Sequence, residues 1–155
     1  MDNILYVGFK GGNNSSCQLV RCLPGEKCLL TNSVSGLERD IDAIEGSFDV
    51  IYMFGLDKNL KDIVKIEICA EFENDVIRTG VDISELMKKL DAQGVKYVLS
   101  ASPTKYLCNA AYYHMFRKMG DQVLFIHIPS QKYFSEDLKY RLMCVFKSGK
   151  ETSLS

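Results

Sequence analysis

The sequence lacks most of the marks that would send a small protein out of the cytoplasm. No basic stretch precedes a long apolar segment near Met1-Asp2-Asn3, as a secretory signal would require, so none is expected. No apolar run approaches the ~18 residues of a spanning helix, which predicts no membrane partner. Neither sign of charge dominates: 19 Lys and Arg stand against 20 Asp and Glu, a formal net charge of −1. That balance argues against broad electrostatic capture of nucleic acid or of an anionic membrane. Histidine is scarce, His114 and His127 being the 2 present. No cysteine or histidine pair stands at CxxC or HxxxH spacing, so no zinc site is expected. Internal repeats, linkers and low-complexity segments are missing too.

What remains is an ordinary globular composition, 46% apolar and 25% charged over 155 residues. At ~150 residues per domain this is one domain, expected over residues 1–147, with 148–155 a polar, frayed tail. A chain of this size buries ~68–70% of its unfolded surface and needs no staples. The unusual feature is 6 cysteines: Cys17, Cys22, Cys28, Cys69, Cys108 and Cys144. In a secreted chain they would suggest a disulfide framework. In the cytoplasmic location expected here, thiols stay reduced, and a free thiol is most often a small buried hydrophobe.

Strand and helix patterns alternate along the chain. Asn3–Gly8 reads as a buried strand, followed by a Gly- and Asn-rich loop and a helix over Ser16–Cys22 that stops before Pro24. Lys27–Thr31 is a brief strand. Leu37, Ile41 and Ile44 recur at helical spacing up to Gly46. Phe48–Gly55 and Ile63–Ala70 read as strands. Asp82 caps a helix carrying Ile83, Leu86, Met87 and Leu90. Val95–Leu99 is a strand, Tyr106–Met119 a helix and Gln122–Ile128 a strand. Ser135 caps a last helix with Leu138, Leu142, Val145 and Phe146 on one face. This order predicts an α/β fold, a three-layer α/β/α sandwich with a mostly parallel central sheet. Ligands of such folds sit beyond the carboxyl ends of the strands.

Three side chains with suitable chemistry fall near such ends. Cys108 opens the helix after Val95–Leu99, where free N–H groups favour a thiolate and are expected to lower its pKa. His127 closes a strand before Pro129, and Glu67 follows Gly55. An imidazole can take the thiol proton and a carboxylate can orient the ring. Backbone N–H groups at the same helix start could hold an oxyanion. Composition and spacing by themselves favour the plainer alternative, a Cys108 packed against the sheet and a hydrogen-bonded core His127. His114 is the rival base, but it is rotated ~240° from Cys108 on the same helix and points elsewhere.

The segment Ser100-Ala101-Ser102-Pro103-Thr104-Lys105-Tyr106-Leu107-Cys108-Asn109, with Tyr112 and Tyr113 beyond it, resembles the nucleophile segment of the type I pyroglutamyl peptidases, or pyrrolidone-carboxylate peptidases. Phe125-Ile126-His127-Ile128-Pro129 resembles that family's histidine segment. Ile66-Glu67-Ile68-Cys69-Ala70 falls where the family carries a glutamate, and Gly55-Leu56-Asp57-Lys58 where it has a Gly-Gln turn. Val7-Gly8-Phe9 and Asn14-Ser15-Ser16 are similar to its Gly-Phe loop and Asn-Pro-Ser segment. The resemblance implies a cysteine exopeptidase that removes N-terminal pyroglutamate through an acyl-enzyme, with no metal or cofactor. It implies Cys108 as nucleophile, His127 as base and acid, and Glu67 as orienting carboxylate. Phe9 and Tyr106 would line an aromatic slot for the uncharged lactam. Arg78 is either an active-site arginine or a solvated loop charge. The resemblance also implies dimers or tetramers.

The chain departs from that family in its loops. Lys10-Gly11-Gly12 stands where Pro-Phe-Gly-Gly is expected, Leu56 replaces the turn glutamine, and Pro103-Thr104 replaces Ala-Gly before the nucleophile, fixing φ and removing a donor. Glu71, Glu73 and Asp75 add an acidic cluster nearby. Two other readings follow: a thiol hydrolase of another small amide, ester or lactam, or a non-catalytic binding homologue with reduced specificity loops.

Overall fold

A computed structural model describes residues 3–102 and 106–152, with side chains as far as Lys147. Its elements run β1 (Ile4–Phe9), α1 (Ser15–Cys22), β2 (Glu26–Leu30), α2 (Val34–Asp42), β3 (Val50–Asp57), β4 (Val64–Glu67), β5 (Cys69–Phe72), β6 (Asp75–Arg78), α3 (Ile83–Ala92), β7 (Tyr97–Ser100), α4 (Tyr106–Met119), β8 (Val123–Pro129), a 3-10 turn (Gln131–Tyr133) and α5 (Glu136–Thr152).

Six strands form one sheet in the order β2-β1-β3-β8-β4-β7. β2, β1, β3 and β8 run parallel; β4 joins β8 antiparallel and carries β7 parallel to itself, so the last two strands are reversed. Every residue of β8, Val123–Pro129, is buried, as befits a central strand covered on both faces. Because side chains alternate along a strand, one face of the sheet packs Leu124, Ile126 and Ile128 against Leu19, Leu86 and Leu142 of α1, α3 and α5. The other packs Val123 and Phe125 against Leu37, Ala111 and Met115 of α2 and α4. These are the layers of an α/β/α sandwich.

Local signals explain most of the boundaries. Asp82 caps α3 by accepting the Glu85 N–H at 3.3 Å, and the Ser135 hydroxyl accepts the Leu138 N–H of α5 at 3.0 Å. The backbone of α5 continues to Thr152, past the 147 boundary read from composition. α2 ends at Asp42, short of Gly46, because the Lys118 ammonium of α4 takes the carbonyls of Ile41, Asp42 and Ile44. The strand expected over Ile63–Ala70 is two. At Ile68 the chain changes partners: its N–H donates to the Ser100 carbonyl and its carbonyl accepts from Thr79, both at 2.9 Å. β4 stays in the sheet, while β5 leaves it to form a hairpin with β6.

Asn14 joins the end of β1 to α1. Its Oδ1 accepts the N–H of Ser16 at 2.9 Å and of Cys17 at 3.4 Å, while Ser16 Oγ accepts the Phe9 N–H at 3.0 Å. Removing such a cap costs about 1 kcal/mol. Asn14→Ala is therefore expected to lower the urea midpoint of unfolding with an unchanged slope.

Candidate active site

Alternation along β3, β4 and β8 places Gly55, Asp57, Lys65, Glu67 and His127 on the face that α4 covers, since Phe54, Ile66 and Ile126 belong to the opposite core. The antiparallel β4–β8 register then sets Lys65 directly across from His127, and Glu67 across from Phe125. Glu67 thus reaches His127 diagonally, a distance long side chains span. Oε1 of Glu67 lies 3.6 Å from Nδ1 of His127, with the two side chains only 1% and 3% exposed. Neither Glu67 Oε2 nor His127 Nδ1 has a hydrogen-bond partner among the described residues. Unpaired buried groups of this kind cost about 1–3 kcal/mol each, so the fold holds both at a cost to its own stability. Nδ1 is the ring nitrogen that faces the carboxylate.

Cys108 enters from above. α4 begins at Tyr106, whose φ of +60° turns the chain sharply into the helix, and Cys108 lies in the first turn. Its thiol rests on Gly55: a Cβ placed there would meet Sγ at 2.9 Å and the Phe125 ring at 2.6 Å. Gly55 pairs directly with His127 across β3 and β8, so the thiol stands over the neighbour of the imidazole. Glycine is needed here for close approach within a strand, not for a turn. Gly55→Ala is expected to displace the thiol and the Phe125 ring together. The measurement is Cys108 alkylation kinetics beside a melting curve, with a change in the first larger than any fall in stability would produce.

Two further contacts hold α4 over the glutamate strand. The Tyr112 hydroxyl donates to the Glu67 carbonyl at 2.7 Å. The Asn109 amide grips the backbone of Glu71, accepting its N–H at 3.0 Å and donating to its carbonyl at 2.5 Å. Both residues belong to the tyrosine-rich segment after Cys108, yet the sequence offers no sign of these partners. Nor does it reveal the charges beneath. The Lys65 ammonium lies 2.8 Å from Asp57 Oδ2 and 3.8 Å from Glu67 Oε1. Burial alone would raise the Asp57 pKa; the Lys65 hydrogen bond, the Asn59 N–H and the charges of Lys65 and His127 outweigh it and hold Asp57 below the usual carboxylate range. Position i−2 from Glu67 on a strand was the available clue to Lys65.

The electrostatics of Cys108 overturn one expectation. Burial first, and then the negative charges of Glu67 and Asp57, push its thiol up to about 12. The partial positive charge of a helix start is small beside desolvation and two carboxylates. In the unliganded protein Cys108 is a neutral thiol at neutral pH.

His114 is removed from this centre: its Nε2 meets Asp42 of α2 at 2.8 Å. Phe9 is 4% exposed and packs in the core with Leu30 and Leu37. Tyr106 is 88% exposed. Arg78 is exposed on β6, opposite Cys69 in the hairpin ladder. The three residues expected to hold a substrate therefore occupy three different environments, and Pro103-Thr104 lie outside the described residues. A hollow of about 230 Å³ opens elsewhere, between β2 and α2, lined by Leu5, Lys27, Cys28, Asp40 and Phe48 among others. None of Cys108, His127 or Glu67 borders it. Cys69 gives its thiol hydrogen to the Ala101 carbonyl at 2.8 Å.

No family model and no curated protein matches the sequence. The architecture defines an α/β/α protein in which an imidazole and a carboxylate lie on one sheet face and the Cys108 thiol of α4 rests on Gly55 of that face. Solved structures give it closer company. The chain superposes on pyrrolidone carboxyl peptidase from Thermus thermophilus with a TM-score of 0.76 at 18% identity, covering 92% of this chain and 97% of that one. For the enzyme from Fervidobacterium islandicum the values are 0.72, 16%, 95% and 98%. For pyroglutamyl peptidase I from Bacillus amyloliquefaciens they are 0.71, 16%, 94% and 91%. The chain has the pyrrolidone carboxyl peptidase fold over nearly its whole length.

Proposed function

We propose that the protein is a cysteine hydrolase that removes N-terminal pyroglutamate from peptides. What supports the reading is the Glu67–His127 pair at 3.6 Å beside Gly55, the strand neighbour of His127 on which the Cys108 thiol rests, in a chain that shares its fold with pyrrolidone carboxyl peptidases. His127 takes the Cys108 proton as Sγ attacks the pyroglutamyl carbonyl carbon, because the thiol is neutral beforehand. N–H groups at the start of α4 receive the developing oxyanion. Collapse forms a thioester while the imidazolium gives its proton to the departing amine. Water, deprotonated by His127, then attacks the thioester; the C–S bond breaks, Cys108 takes the proton back from the imidazolium, and pyroglutamate is released. Glu67 supports the imidazolium throughout. The 3.6 Å separation from Nδ1 tightens when substrate closes the site, as unliganded catalytic hydrogen bonds commonly do. A reducing cytoplasm suits this chemistry, and all six cysteines are free.

The test is a fluorogenic pyroglutamyl amide with the full chain. Release of fluorophore supports the reading, and its absence, against a panel that includes other small amides, esters and lactams, overturns it. A second reading keeps the trio and changes the substrate. It is favoured by the exposure of Tyr106 and the core position of Phe9, which together leave the lactam slot without its two expected walls. Turnover of a panel member but not of the pyroglutamyl amide would select it.

A further inference from the structure

Glu67 is surrounded by groups from several elements: Lys65 on its own strand, His127 on β8, Cys108 and Tyr112 on α4, and Cys69 on β5. Lys65 is the cation among them, and it does two things at once. It donates to Asp57 at 2.8 Å, which fixes the ammonium at the end of β3. It also stands 3.8 Å from Oε1 of Glu67, the same oxygen that faces His127 Nδ1 at 3.6 Å. One carboxylate oxygen is thus shared between an ammonium and an imidazole, while Oε2 has no partner among the described residues.

We propose that Lys65, anchored by Asp57, is a positioning residue for this centre: it holds the Glu67 carboxylate against His127 and so selects the ring tautomer that leaves Nε2 free as the base. The inference rests on the reading of Cys108, His127 and Glu67 as a working trio. A buried carboxylate needs a compensating charge. Without the ammonium, Asp57 and Glu67 are like charges on one sheet face, and their repulsion is relieved by turning Glu67 away from the ring. Lys65 touches no reacting atom and acts only through Glu67.

The experiment compares Lys65→Met, Lys65→Arg and Asp57→Asn with the unaltered chain, following melting temperature, kinetics on the fluorogenic pyroglutamyl amide, and the ring nitrogen resonances of ¹⁵N-histidine-labelled protein without substrate. In the unaltered chain His127 is expected as the Nδ1–H tautomer. Lys65→Met should shift it toward the Nε2–H form and lower kcat about tenfold with KM within about twofold. Lys65→Arg should restore both, and Asp57→Asn should produce an intermediate effect. The proposal is overturned if Lys65→Met folds with the tautomer unchanged, or if Lys65→Arg rescues melting temperature but not tautomer. The tautomer is read without substrate. A failure of the pyroglutamyl amide in the unaltered chain therefore counts against the proposed activity, while the spectra still decide the role of Lys65. If Lys65→Met does not fold, the Lys65→Arg and Asp57→Asn spectra carry the decision.

Discussion

Cys108→Ala is expected to cut kcat/KM on a pyroglutamyl amide by about 10⁴–10⁶, the loss seen when a nucleophile that works with a base is removed. The alanine deletes the sulfur that forms the thioester in the proposed reaction, and Tyr106, Leu107 and Asn109 of the first turn of α4 offer no thiol in its place. The fold should tolerate the change. Cys108 is half-buried at the edge of the core beside Leu107, and the thiol leaves no hydrogen-bonded partner stranded in the way a buried polar network would. The control is the melting curve, which should move little while turnover disappears. Wild-type turnover surviving in this variant would remove Cys108 from the mechanism. Burst release of one fluorophore per chain in the unaltered protein would place the acyl-enzyme directly.

Glu67→Gln carries the second large effect, and its two readouts move in opposite directions. Turnover is expected to fall by about 10²–10⁴, because the uncharged amide cannot stabilise the imidazolium that forms during attack. Alkylation of Cys108 is expected to quicken. The sign follows from the cause of the raised thiol pKa: a negative charge nearby disfavours the thiolate, and Glu67 is the largest such charge after burial itself. Removing that charge lowers the thiol pKa from about 12, so more thiolate is present at any pH below it. Each unit of lowering multiplies the thiolate fraction about tenfold. Iodoacetamide kinetics between pH 7 and 10 give the measurement. In the unaltered chain the rate should keep climbing through that window without a plateau. A Glu67→Gln variant that alkylates more slowly, with its fold intact, would show that Glu67 activates the thiol instead of suppressing it.

In the proposed reaction, both expected effects follow from a thiol that stays neutral until attack. A thiolate formed in advance beside two carboxylates would be costly in this buried setting. Transferring the proton to His127 only as the carbon–sulfur bond forms avoids that ground-state charge, and the same two carboxylates then favour the imidazolium. The proposed proton traffic resembles that of a serine–histidine pair more than that of a preformed ion pair.

The legible part of the architecture was local. Alternation of strands and helices, the capping signals at Asp82 and Ser135, and the tyrosine-rich helix from Tyr106 to Met119 all reappear. The placement of Cys108 at a helix start and His127 near a strand end was legible for the same reason. The break at Ile68 was not, because apolar residues continue through it. Only the hydrogen bonds to Ser100 and Thr79 show that the chain there leaves one sheet for another. Likewise Gly55 reads in sequence as the end of a strand, whereas its cause is the Cys108 sulfur lying on it.

The sequence by itself determined an α/β chain, and it singled out one cysteine, one histidine and one glutamate as candidates for chemistry. Periodicity and turn signals act over a few residues, so they survive in the bare order of amino acids. The tertiary structure decided what those candidates face. β4 is reversed beside β8, and that reversal brings Glu67 diagonal to His127 and Lys65 directly opposite it. Strand direction depends on pairing between segments some sixty residues apart (Lys65 with His127, for example), for which no local signal exists. The thiol followed the same rule: its helix position predicted a lowered pKa, and the burial and two carboxylates supplied by other strands raised it. Charge environments are sums over neighbours in space, and only the folded chain says who those neighbours are.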